Sequence, residues 1–135
     1  MTFREHVAAL RAGTGDPRAL VGEFRRTAVL VPVTTDGLLA ARYRDIRWLY
    51  AFTDEPALAR FALAAGTGPS EEWEYRTVLG ARLLDTVIPS LDGPTGIVVD
   101  AADTENSMTF PPVRGIVPDA VALDGPFPTD REAGQ

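Results

Sequence analysis

Cysteine is absent from the chain. That single gap removes a disulfide scaffold, a thiolate nucleophile, a cysteine-ligated zinc and an iron–sulfur cluster together. Histidine occurs once, at His6 on the polar side of a predicted helix, so a Ser-His-Asp or Cys-His triad has almost no material. Ser70, Ser90 and Ser107 fall in predicted loops, and none stands in a Gly-x-Ser-x-Gly elbow. Lysine is missing too: all 13 basic residues are arginine. With Ala, Gly, Pro and Val abundant and Asn, Gln and Ile scarce, this reads as the imprint of GC-rich coding, not as phosphate recognition. No stretch approaches the roughly 18 apolar residues of a spanning helix. The charged start Thr2-Phe3-Arg4-Glu5-His6 lacks the apolar core of a signal peptide, so a cytoplasmic protein without a membrane segment is expected.

What is present suits one globular domain. The chain has 135 residues, of which 45% are hydrophobic, and domains of about that size bury roughly two-thirds of their unfolded surface without help from metals or disulfides. The net charge of −6 is unevenly spread. Residues 1–82 carry 11 arginines against 10 acids, and residues 83–135 carry 2 against 9. An acidic C-terminal third repels phosphates, so no nucleic-acid partner is expected, whereas a basic partner surface remains open.

The pattern predicts a helix over 2–12 (Phe3, Val7 and Leu10 on one face), a break at Gly13–Gly15, and a second helix capped by Asp16 with Pro17 in its first turn. Residues 28–33 read as a strand that Pro32 confines to an edge or a bulge. Asp36-Gly37 signals a hairpin turn, 38–43 a return strand, and Arg44-Asp45 a second turn. The strand at 47–52 alternates Trp48, Tyr50 and Phe52 against Leu49 and Ala51. Thr53 or Asp54 caps a helix carrying Leu58, Phe61, Ala62 and Ala65. A strand over 73–79, a helix over 81–88 stopped by Pro89, and an apolar run at 96–99 follow; that run has the composition of a central strand. Residues 108–110 add a short strand, and 116–123 has no clear form. The expected class is therefore α+β (α/β-type). It has a mixed sheet with an antiparallel meander over about residues 28–52, a βαβ-like unit over about 73–100, and two N-terminal helices packed on it. One domain is expected over 1–123, with 124–135 as a flexible tail.

Candidate sites are few. Gly13-Thr14-Gly15 is half a dinucleotide fingerprint, but it follows a helix and not a strand, so the context fails. Asp100, Asp103 and Glu105 follow the presumed central strand, where α/β sheets place ligand crevices, and three carboxylates there suit Ca²⁺ or Mg²⁺. Their spacing matches no complete EF-hand, and solvated loop acids are the plainer reading. Arg42, Arg44 and Arg47, interleaved with Tyr43 and Trp48, are the best candidate for contact with a protein partner, because Arg, Tyr and Trp dominate interface hot spots. No catalytic residue, cofactor or cofactor-binding residue is assigned. The inventory leans away from an enzyme and toward a non-enzymatic interaction or adaptor protein. The alternatives are a small-molecule or divalent-ion binding domain (or a weak hydrolase) using the acidic loop, and a homo-oligomer formed through an exposed strand edge.

Arg25–Val33 (RRTAVLVPV), Arg47–Ala62 (RWLYAFTDEPALARFA) and Gly80–Ala101 (GARLLDTVIP…GIVVDA) resemble the N-terminal domain of the SseB family, named for enhanced serine sensitivity. The resemblance runs over residues 20–113. It implies a compact α/β domain with no established catalytic residues. Stand-alone copies are common in high-GC Gram-positive bacteria, some of them encoded near type VII secretion components. Relatives often carry Asn-Pro after the last of these strands, where this chain has Asp100-Ala101, and no site residue is carried over.

Overall fold

The computed structural model describes residues 2–66 and 73–124. The tail expected over 124–135 lies outside them except for Asp124, as does most of the Gly66–Pro69 break.

Both N-terminal helices form where the apolar spacing and, for the second, the Asp16 cap predict. In α1 (Phe3–Arg11), the Thr2 hydroxyl accepts from the Glu5 N–H while the Glu5 carboxylate accepts from the Thr2 N–H, a reciprocal capping box. In α2 (Pro17–Arg26), the Asp16 carboxylate accepts from the Arg18 N–H, and Pro17 occupies a position whose N–H has no helical partner. Phe3, Val7, Leu20 and Phe24 are buried, and the Phe24 and Phe110 rings stack with centroids 4.7 Å apart. The helices thus cover one face of the sheets, as expected.

The strands form two sheets that meet at a single bridge. β1 (Ala28–Thr34) lies between β2 (Gly37–Leu38) and β5 (Tyr75–Leu79), antiparallel to both. The second sheet has the order β3 (Ala40–Tyr43), β4 (Ile46–Ala51), β6 (Thr95–Val99), β7 (Met108–Phe110). Leu30 and Phe52 exchange backbone hydrogen bonds of 2.8 and 2.9 Å and join the two. The meander of 28–52 therefore splits at Leu39, whose N–H goes to the Pro32 carbonyl while its carbonyl accepts from the Tyr50 N–H.

Pro32 explains the split, and its expected position is corrected. β1 is not an edge and is not bulged at the proline, since Pro32 sits in register with Tyr75. The Val33 N–H bonds the Glu74 carbonyl on the β5 side, so Pro32, one residue earlier, turns its nitrogen the other way. There it faces the gap between the Leu30–Phe52 bridge and β2, where no donor is needed.

The βαβ-like unit is also redrawn in one respect. β6 is parallel to β4, with Trp48 opposite Gly96 and Tyr50 opposite Val98, whereas β5 belongs to the other sheet. The crossover thus starts from β4 and runs through α3 (Glu55–Ala64), β5 and the helical segment after it. That segment passes from α4 (Gly80–Arg82) through a π-helical turn (Leu83–Val87) to α5 (Ile88–Ser90). Pro89 does not stop the helix but lies in its last turn. It has no N–H to give to Asp85, and its ring would crowd that carbonyl in a regular α-helix; the wider turn, closed by the Ile88 N–H on the Leu83 carbonyl, relieves the crowding. The segment of unclear form at 116–123 holds a short 3₁₀ turn, Asp119–Val121, beside the buried Val117.

The main core gathers Phe24, Val29, Val31, Leu49, Leu83, Leu84, Ile97, Val99 and Phe110 between the sheets and the helices. A second cluster lies on the opposite side, where Phe52, Ala57 and Leu58 pack with Leu30, Tyr50, Phe61 and Trp73 under α3. Arg25 on α2 clamps Asp85 in the π-turn with bonds of 3.0 and 2.6 Å, both side chains being about half exposed. Solvent screening limits such a pair, so Asp85→Asn should lower stability by less than about 1 kcal/mol. Hydrogen bonding from Arg25 holds the Asp85 carboxyl below its ordinary value. Its contribution is thus present above the unfolded-state pKa and is lost as pH falls through the folded one. Urea unfolding at neutral and acidic pH should show the wild-type margin over Asp85→Asn closing in acid.

Candidate functional site

The carboxyl ends of the parallel strands β4 and β6 are filled, not open. β4 runs through Phe52 to Thr53, β6 runs into Asp100, and the two meet. Asp100 is 1% exposed and has a φ of 55°, a left-handed conformation that aspartate tolerates better than most residues. Its N–H bonds the Ala51 carbonyl. One carboxylate oxygen accepts from the Thr53 N–H at 2.9 Å and the other from the Thr53 hydroxyl at 2.8 Å. Arg4 closes the cluster from α1. Its guanidinium donates to the Thr53 hydroxyl at 2.6 and 3.1 Å, pairs with Asp54 at 3.0 Å and lies 3.7 Å from Asp100. Asp54, not Thr53, caps α3, its carboxylate accepting from the Ala57 N–H. Burial pushes the Asp100 carboxyl above its ordinary value, against the opposing pull of the Thr53 hydrogen bonds and Arg4.

The other two acids of the expected ion site turn away. Asp103 accepts from the Glu105 and Asn106 N–H groups and from the Asn106 side chain, which keeps its carboxyl below the ordinary value, and Arg60 stands 3.8 Å off. Glu105 is exposed. Among the described residues no three His, Asp or Glu side chains gather as metal ligands. Asp100, Asp103 and Glu105 thus share a loop without sharing a site; Asp100 acts as a clip between two strand ends.

The five residues of the hairpin candidate separate by face. β3 and β4 are joined by the two-residue turn Arg44-Asp45, both residues at positive φ (54° and 67°), and Arg42 pairs with Arg47, Tyr43 with Ile46, Ala41 with Trp48. Alternation then places Tyr43, Ile46, Trp48 and Tyr50 on the outer face and Arg42 and Arg47 on the other. Arg44 sits in the turn with its guanidinium 5.4 Å from the centre of the Tyr43 ring.

The outer face is where the aromatic residues collect. Trp48 lies over Gly96: a Cβ on Gly96 would stand 2.6 Å from the indole and 2.7 Å from the Phe110 carbonyl oxygen. Ala41, Tyr43, Trp48, Tyr50, Val98 and Thr109 line a shallow depression of about 320 Å³. Tyr43 is 64% exposed. α3 covers the far end of this face, its Phe61 ring 4.9 Å from that of Tyr50, and leaves the Trp48 end open. A larger hollow of about 490 Å³ beside Pro32, Leu39 and Trp73 carries one ionisable side chain, Glu74, which is thin material for chemistry.

The sequence pattern points to Tyr43 and Trp48 and sets Tyr50 on the face of Trp48, but it does not point to Val98 and Gly96 beside them, nor to Arg4 and Thr53 of the strand-end cluster. A glycine inside an apolar strand is a recognised sign of close approach, and Gly96 is such a case. Arg4 lies 96 positions from Asp100, and no local pattern links them.

Comparison of the chain with protein-family models, with curated proteins and with solved structures finds no match. No helix among the described residues is long and apolar enough to cross a membrane.

Proposed function

We propose that this chain is a stand-alone SseB-like domain acting as a non-enzymatic protein–protein interaction or adaptor module, cytoplasmic and linked to specialised secretion or its regulation. The observation that carries this reading is the open aromatic face of the second sheet. Tyr43, Trp48 and Tyr50 stand side by side next to Arg44, no helix among the described residues covers the Trp48 end, and Tyr, Trp and Arg are the residues that anchor interfaces. The use of both Asp100 oxygens on Thr53 supports it from the other side, because a carboxylate already spent inside the fold is poorly placed to bind an ion or activate water.

Affinity capture from native lysate, quantified by mass spectrometry, tests it with wild type, Tyr43→Ala and Trp48→Ala. At least one protein should be retained by wild type and reduced about tenfold or more by either substitution, the loss typical of an interface anchor. An identical captured set from all three proteins would overturn the reading. Tyr43 projects into solvent, so its replacement leaves the core intact.

A further inference from the structure

Among the described residues β3 is an edge strand, and its four residues, Ala40, Ala41, Arg42 and Tyr43, are all exposed. In a two-residue hairpin the pair flanking the turn exchanges both backbone hydrogen bonds, here Tyr43 with Ile46. The Leu39 carbonyl also accepts from Tyr50. The odd-numbered residues of β3 therefore face β4, and Ala40 and Arg42 turn their N–H and C=O groups to the open edge. No proline or bulge blunts that edge.

Charge selects what belongs there. Arg42 and Arg47 stand directly opposite each other, an arrangement of like charges that weakens a strand pair. Neither makes an ion pair among the described residues. Nη1 of Arg47 is enclosed and has no hydrogen-bond partner, the one buried side-chain polar atom so placed among the described residues. Between Leu38 and Tyr50 the chain carries three arginines and one aspartate, although the whole carries −6. A second copy adding its own β3 would bring two such basic hairpins together. An acidic strand would neutralise this one.

We infer that β3 receives an extended acidic segment of a protein partner as an added strand. The inference rests on the interaction reading and names its mode. The added strand bonds the free backbone groups of Ala40 and Arg42. Its residue opposite Arg42 shares the face of Arg42 and Arg47 and places a carboxylate there, and the residues on either side reach the opposite face, beside Ala41, Tyr43 and Trp48. The recognised pattern is thus an acidic residue flanked by apolar ones in alternation.

The test uses a capped nine-residue peptide alternating Glu with Val, the same peptide with Lys for Glu, and the Glu peptide N-methylated at alternate residues. Titrations are followed by amide NMR of the full chain. The Glu peptide should shift the Ala40 and Arg42 amides saturably, and the Lys and N-methylated peptides should bind at least about tenfold more weakly. Arg42→Glu, at an exposed position, should reverse the preference toward the Lys peptide. Equal binding of the Glu and Lys peptides, shifts confined elsewhere, indifference to N-methylation, or no binding would each overturn the inference. So would light scattering that shows a dimer dissociated by Arg42→Glu. The two readings fail separately: a protein captured in a Trp48-dependent way, with no response to the Glu peptide, sustains the interaction module and removes strand addition.

Discussion

Gly96→Ala is expected to lower stability by about 1–2 kcal/mol and to lift the Trp48 indole off the sheet. One added methyl group meets two atoms of different freedom. The Trp48 ring carbon at 2.6 Å belongs to a half-buried side chain that can rotate outward. The Phe110 carbonyl oxygen at 2.7 Å belongs to β7 and can retreat only if the strand moves. Overpacking of this kind costs about 1–3 kcal/mol, and the alanine recovers roughly 0.5–1 kcal/mol by restricting the unfolded chain. A double-mutant cycle separates the two contacts. In a Trp48→Ala background the penalty should fall by on the order of 1 kcal/mol, because only the carbonyl clash remains. An unchanged penalty would place the whole clash on Phe110 and refute the seating of the indole on Gly96. Fluorescence in a Trp73→Phe background, where Trp48 is the sole emitter, should shift to the red in Gly96→Ala. The same variant should weaken capture of any partner that uses the outer face, which ties the packing of one glycine to the proposed function.

Features whose cause is local are legible in the amino-acid sequence. Asp16 and Pro17 mark the start of α2 because capping is a matter of three or four consecutive residues. The alternation read at 47–52 separates Leu49 and Ala51 from Trp48 and Tyr50 correctly, because period two is a property of the strand itself. Pairings made at a distance are not legible in this way. Nothing near Thr95–Val99 says that its parallel partner is β4 and not β5. Pro32 reads as an edge signal because a missing donor is usually tolerated only there; the alternative, a central strand whose neighbour changes at that residue, depends on where Leu39 crosses. The candidate site shows the same division. Counting arginines and aromatics finds the hairpin, but treating 42–48 as one surface ignores alternation, which sends Arg42 and Arg47 to one face and Tyr43 and Trp48 to the other. Proximity in sequence also makes Asp100, Asp103 and Glu105 look like a cluster, when the backbone turn at Asp100 directs its carboxylate back under Thr53.

Asp100→Ala should be the most destabilising of the substitutions considered, at about 3–4 kcal/mol. Removing the carboxylate leaves the Thr53 N–H and hydroxyl without their acceptors, and an unsatisfied buried polar group costs about 1–3 kcal/mol. Arg4 loses its nearby anion, and alanine resists the φ of 55° by roughly 1 kcal/mol more. Asp100→Gly removes the same hydrogen bonds without the conformational strain, so it should recover about that last portion. Asp100→Asn tolerates the left-handed conformation and keeps an oxygen for the Thr53 N–H, so it should lose the least. The asparagine variant also isolates the charge. Burial raises the folded-state pKa of Asp100 above its unfolded value, so the folded protein holds this proton more tightly. Its contribution to stability is full below the unfolded-state pKa and is lost as pH rises through the folded one. The wild-type margin over Asp100→Asn should therefore be widest in acid and shrink as pH rises through the carboxylate range, the opposite of the trend expected at Asp85. Chemical unfolding of both proteins across that range reads the sign directly. A margin that widened with pH would mean that Arg4 and Thr53 outweigh burial, and would recast the strand-end cluster as an ion pair whose negative charge the fold needs.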